Sequence, residues 1–292
     1  MLTNITICNS LNDVEIAVTK IRSIGKEIVF RGLPDYTYEL QSRIEDKFKD
    51  KIKANSCVKK MIESFNNLIE KNGLTYEIYK DNSPFKTPNY KNNWYLICQA
   101  QHLGIPTMLM DWSLDWKKAL FFSVFDMKNE LNSGSLWCLD TSSLTYNDDQ
   151  LDSKSIYISN PFDYYGKPRI INPSFEFGLE GCLAAKRIHY QNGRFLITSL
   201  VGSCEPLENT DCFKQRLTKI VITPECKADI LKKYCTPQEV PLLLSGHQGT
   251  YCKNGKWFKK YDHNFFYGWM NEELLKIVNQ MRKIEGFVEI NN

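Results

Sequence analysis

The residues able to do chemistry gather in a few short stretches of this 292-residue chain. Phe30-Arg31-Gly32 sets a guanidinium beside a residue with no side chain. The guanidinium fork suits phosphate, and glycine lets a ligand approach the backbone closely, so Arg31 and Gly32 are candidates for holding an anion. An Arg paired with a core carboxylate accounts for the same three residues. A second stretch, Gln99 to Ser113 (QAQHLGIPTMLMDWS), sets amide, imidazole, hydroxyl and carboxylate groups in an apolar run punctuated by Gly104 and Pro106. Polar groups in that setting must be satisfied by one another or by a ligand. His102 titrates near neutral pH and can position or protonate a group, or else cap the helix before it. Asp111, between Met110 and Trp112, is costly to bury alone, which makes it an ion-pair partner for Arg31, a site carboxylate, or both. Trp112 and Trp116 read as core residues.

A third stretch, Tyr251 to Asp262 (YCKNGKWFKKYD), carries four Lys and one Asp. Its +3 equals the formal charge of the whole chain, so the remainder balances to neutral. Lys253, Lys256, Lys259 and Lys260 around Trp257 offer cations for phosphates and a flat ring for a base, as a single-stranded nucleic acid requires. A hairpin turning at Asn254-Gly255 with solvated lysines explains the same pattern. Only eight of the 37 cationic residues are Arg, which makes each Arg more informative than any Lys.

Elements must position these residues. Ile5 and Ile7 alternate as in a strand, and Ser10 with Asp13 forms a capping box for a helix bearing Val14, Ala17, Val18 and Ile21, closed by Gly25. Glu27 to Phe30 reads as a strand that delivers Arg31 and Gly32 at its end, before Pro34. From Ser56, Val58, Met61, Ile62, Phe65, Leu68 and Ile69 follow helical spacing up to Gly73. Residues 73–93 read as a loop and Trp94 to His102 as a helix. After Asp111-Trp112-Ser113 a helix over Asp115 to Phe125 is expected, then a strand at Leu136 to Leu139 and a mostly irregular stretch, Thr141 to Gly181. Arg187 to Thr198 and Thr218 to Ile222 read as strands; Glu225 to Tyr234 and Asn271 to Ile284 read as helices. Strands and helices mix without βαβ alternation, so the expected class is α+β.

With 42% hydrophobic and 24% charged residues, disorder is not the default, and a net +3 does not predict nucleic-acid binding from bulk charge. The N-terminus lacks a signal-peptide pattern and no window suits a membrane span, so a cytoplasmic protein with no membrane association is expected. Ten scattered Cys without a C-x-x-C pair read as reduced, largely buried thiols. Phosphate-loop, dinucleotide-fingerprint, nucleophile-elbow and H-E-x-x-H motifs are absent. Four dispersed His suggest no metal site, and a nuclease reading lacks its metal cluster or His pair.

Phe30-Arg31-Gly32, the QHLGIPTMLMDWS run, the ALFFSVF helix and Arg187 to Phe195 (RIHYQNGRF) together resemble an FRG domain, over roughly residues 10 to 245. Met110 stands where the family's pattern usually has Leu, and Gln191, Gly193 and Phe195 match its late Gln-x-Gly-x-Phe segment. The order of these segments is similar, more distantly, to the Arg-Ser-Glu class of ADP-ribosyltransferases. That resemblance implies a mixed, mostly antiparallel split sheet flanked by helices, with NAD as substrate and no metal. It implies that Arg31 holds a phosphate or ribose of NAD, with Gly32 and Thr107 beside it, and that Ser113 supports the nicotinamide ribose with Asp111 orienting it. The late motif supplies Gln191 and no Glu; Glu180 and Glu176 are the nearest carboxylates. Residues 1–245 would be the catalytic-type domain, with 246–292 a basic, aromatic hairpin and helix. The expected function is ADP-ribosylation of a macromolecule, RNA or DNA before protein, by a bacterial toxin or antiviral effector whose partners include an antitoxin. The alternative is a non-catalytic nucleic-acid- or protein-binding module in which Arg31, Gln101, His102 and Asp111 form a structural polar network.

Overall fold

A computed structural model describes residues 4–24, 27–71, 97, 100–101, 105–124, 131–142, 144, 162, 164, 167–171 and 191–234. The expected loop at 73–93, the helix at 271–284 and the boundary near 245 lie outside these residues, as do Gly25 and Gly73. The described chain gathers into two compact units, one from 4–40, 112–142 and 206–234, the other from 41–111 and 144–205.

In the first unit, β1 (Ile5–Cys8), β2 (Ile28–Leu33) and β4 (Gly134–Asp140) combine with β7 (Leu217–Ile222) and the end of β3 (Met110–Ser113). β1 runs parallel to β7; β7 with β4, β4 with β2, and β2 with β3 are antiparallel. The class is thus α+β with a mixed, mostly antiparallel sheet. β2 runs on through Arg31 and Gly32 instead of ending before them. β4 pairs with every residue of it, from Ile28 opposite Asp140 to Leu33 opposite Ser135. Long-range pairing therefore outweighs the low strand preference of glycine.

One face of this sheet presents Phe30, Leu136, Cys138, Ile220 and Ile222 to three helices, α1 (Leu11–Arg22), α3 (Trp116–Val124) and α4 (Pro224–Tyr234), which complete the core. Burying Phe30 alone contributes about 2 kcal/mol. α1 starts as its sequence predicts. Ser10 Oγ accepts the Asp13 N–H at 3.2 Å while Asp13 Oδ2 accepts the Ser10 N–H at 2.9 Å. Ile5 and Ile7 do form a strand, yet at 57% and 66% exposure they face outward, and Cys8 supplies the buried contact.

In the second unit α2 (Lys51–Lys71) starts before Ser56 because Asp50 Oδ1 caps it, accepting the Lys53 N–H at 2.9 Å. Its inner face is Ala54, Val58, Met61 and Phe65. Lys51 Nζ reaches Thr198 Oγ1 at 2.9 Å and Glu45 at 3.3 Å. β5 (Arg169–Ile171) pairs antiparallel with β6 (Gly193–Ile197). β6 lies within the strand expected over 187–198, of which 187–190 lie outside the described residues, and β5 falls in the stretch read as mostly irregular.

Six described cysteines are free thiols; Cys8, Cys138 and Cys226 are buried, Cys57 and Cys204 partly so, and Cys212 is exposed. Burial first and Asp13 second push the Cys8 thiol up to about 11, and burial pushes Cys226 up to about 12. Both therefore stay protonated at neutral pH and act as packing groups. No helix is long and apolar enough to cross a membrane among the described residues.

Candidate functional site

Arg31 lies in mid-strand, part-buried, with Trp137 of β4 directly opposite. Phe30 pairs with Ser113 across β2 and β3, so those two side chains share the helix-bearing face. Side chains alternate along a strand, so Arg31 leaves from the other face. The structure therefore does not bring Arg31 and Ser113 to one side of the sheet, as the NAD reading of the sequence expects. Ser113 is 7% exposed and its hydroxyl is engaged locally, accepting the Asp115 N–H at 3.0 Å where the chain turns from β3 into α3. Arg22 braces the same turn: its Nη2 donates to the Leu114 carbonyl at 3.0 Å and its guanidinium lies 5.1 Å from the Phe30 ring centre.

Gly32 is explained by packing. A Cβ there would sit 1.9 Å from the Ala119 carbonyl oxygen and 2.8 Å from the Ser123 nitrogen. The close approach that glycine permits here is that of helix α3. Gly134 on β4 makes room for the same helix, its Cβ position lying 2.1 Å from the Ser123 carbonyl oxygen.

In the second unit the described polar groups Gln101, Thr107 and Asp111 bond to one another. Thr107, fully buried, donates its hydroxyl to Gln101 Oε1 at 2.5 Å and accepts the Leu109 N–H at 3.1 Å. With its oxygen so engaged, Gln101 turns Nε2 toward the Leu109 carbonyl at 3.2 Å and Asp111 Oδ2 at 3.1 Å. Asp111 itself is exposed. Thr107, expected beside the cofactor, fixes the amide that fixes an exposed carboxylate. Gln191 sits in the turn before β6, where Asn192 adopts a φ of 46°, a left-handed conformation that Asn tolerates. His102, Glu180 and the strip Lys253, Lys256, Trp257, Lys259 and Lys260 lie outside the described residues. Among the described residues no group of three or more His, Cys, Asp or Glu is placed to hold a metal.

The sheet face that carries Arg31 also bears features that sequence reading passed over. Lys219, opposite Trp137 on β7, holds its Nζ 4.7 Å from the Trp137 ring centre and 5.5 Å from that of Tyr36, and donates to the Tyr36 carbonyl. Burial pushes the Lys219 ammonium below its ordinary range and the Glu208 carboxyl above its own. Neither residue belongs to a local motif, and only the β4–β7 register reveals the grouping.

Residues 26–131 match the family model of the FRG domain. Over that span the chain is similar to an FRG domain. No curated protein and no solved structure matches the chain. The FRG match takes in β2 with Arg31 and Gly32, α2, the Gln101 to Asp111 network, β3 and α3. The Arg187 to Phe195 stretch lies beyond it. The letters that name the domain thus have distinct structural parts in this chain: Phe30 in the core, Gly32 beneath α3, and Arg31 on the opposite face.

Proposed function

We propose that this protein is an ADP-ribosyltransferase that uses NAD to modify a macromolecule. The observation that carries the reading is the Asp111 carboxylate, exposed yet held through Gln101 by the buried Thr107 hydroxyl. In the reaction the C1′–N bond to nicotinamide breaks and its electron pair leaves with the neutral base. A lone pair of the acceptor forms the new bond to C1′, and the acceptor gives up its proton. Positive charge grows on the ribose as the bond stretches, and a preorganised carboxylate stabilises that charge without reorganising.

The Lys and aromatic pattern of Tyr251 to Asp262 favours RNA or DNA as acceptor, with protein second, and supports a toxin or antiviral role. The test is transfer of label from NAD to nucleic acid or protein by the purified chain. Asp111→Asn keeps the shape and removes the charge; it should lower transfer about 100-fold or more with little change in melting temperature, because Asp111 is exposed. No NAD binding or turnover with any acceptor class overturns the reading. One observation favours the binding-module alternative: the same amide and hydroxyl also hold the Leu109 carbonyl and N–H, so the network shapes the backbone too. On that alternative Asp111→Asn leaves binding unchanged, and binding falls with salt as lysines are removed.

A further inference from the structure

The sheet face opposite the helices carries buried hydrogen-bond donors that the fold leaves unused. Trp112 and Trp137 are 3% and 1% exposed and Ser135 is fully buried. The indole Nε1 of each Trp and the Ser135 Oγ are buried without a hydrogen-bond partner among the described residues. Buried polar groups are seldom left so, and each needs an explanation. Three on one face need a common one. Register puts them there: Trp137 lies opposite Arg31, and Ser135 precedes it by two residues on the same side of β4. Phe30 opposite Ser113 puts Trp112 on the Arg31 side of β3. Neighbouring strands are about 4.8 Å apart, so Trp112, Arg31 and Trp137 form a row across three strands.

The chemistry of the row is one-sided. An indole N–H only donates, a guanidinium only donates, and a hydroxyl can donate. Two carboxylates near Lys219 among the described residues already accept hydrogen bonds. Asp35 accepts from Thr37 and, at 2.7 Å, from Asn132, and Glu208 accepts the Leu40 N–H. Lys219, over the Trp137 ring, adds positive potential. A site lined by donors and flanked by cations selects a ligand that only accepts. We propose that Trp112, Trp137 and Ser135 join Arg31 in binding a phosphate oxyanion, the diphosphate of a dinucleotide. This rests on the transferase reading for the ligand's identity, while the donors themselves assign its charge and acceptor character.

The experiment titrates the full-length protein, carrying 15N-labelled tryptophan, with inorganic pyrophosphate, and in separate arms with orthophosphate, sulfate and NAD. The Trp112 and Trp137 indole signals, assigned by their loss in Trp112→Phe and Trp137→Phe, should shift with pyrophosphate and NAD more than with sulfate. Each Phe variant keeps an aromatic ring, though a smaller one, and loses the donor, and should weaken pyrophosphate binding about tenfold or more by calorimetry. Indole signals that stay put in the wild type assign these N–H groups to buried water and overturn the proposal, whether or not the variants fold. Unmoved indoles together with intact NAD turnover remove this site and leave the transferase standing. An indole response to pyrophosphate without any NAD turnover keeps the anion site and removes the transferase.

Discussion

At the scale of single residues, Gly32 shows how a motif position can mislead. Next to an Arg, a glycine suggests room for a ligand, but the room is occupied by a helix whose chain position is some ninety residues later. Ala119 and Ser123 meet the absent Cβ with backbone atoms at 1.9 and 2.8 Å, and backbone in a helix cannot rotate away as a side chain can. Gly32→Ala should therefore push α3 off β2 and cost about 3 kcal/mol, read as a lower midpoint in urea unfolding. A variant as stable as the wild type would mean that α3 does not rest on Gly32. Arg31, one residue away, faces the other side of the sheet, so the two substitutions should separate. Gly32→Ala acts through stability, whereas a conservative Arg31→Lys acts through oxyanion binding. The reversal of faces was not legible in the sequence, because alternation tells which residues share a face but only a partner strand tells which face is which.

Elements held by local interactions were the legible ones. The Ser10 and Asp13 box, the helical spacing of Val14 and Val18, and Pro224–Tyr234 depend on contacts within a few residues and read directly from the chain. The ends of β2 and the roles of Lys219 and Trp137 depend on pairing with distant strands and did not. The Thr107–Gln101–Asp111 chain was half legible: the polar density was plain, but not which group positions which. The capping box gives a test at this scale. Removing the acceptor with Ser10→Ala should cost about 1 kcal/mol near neutral pH. The Ser10 hydrogen bond, then the Asn9 backbone N–H, hold the Asp13 carboxyl below its ordinary value. A carboxyl lowered in the folded state stabilises above its unfolded pKa, and loses that contribution as pH falls through the folded one. The gap between wild type and Ser10→Ala should accordingly narrow as pH drops below the usual carboxylate range, measured by thermal melts from neutral to acidic pH. A gap that is constant or widens in acid would show that the Asp13 half of the box is not formed.

For the molecule as a whole, the span of the family match and the span of the fold are different things. The FRG match ends at residue 131, three residues before β4 begins. β4 is the strand on which the first unit depends: it pairs with all six residues of β2 on one side and with β7 over six residues on the other. The core beneath it draws Leu11, Val14 and Val18 from before the match and Leu136, Ile220, Ile222 and Ile230 from after it. A peptide of residues 26–131 would keep Phe30 and α3 but expose them, with β2 left unpaired along most of its length. An edge of that kind has no independent stability and invites association. Residues 26–131 expressed alone should give a poorly dispersed amide spectrum and no cooperative thermal transition, while the full chain gives both dispersion and a transition. A cooperative transition from the fragment would show that the FRG stretch supplies its own core, and would require a partner for β2 other than β4. If the fragment fails as expected, Arg31 can be tested for anion binding only in the longer chain, because the strand that orients its guanidinium is itself held by residues outside the match.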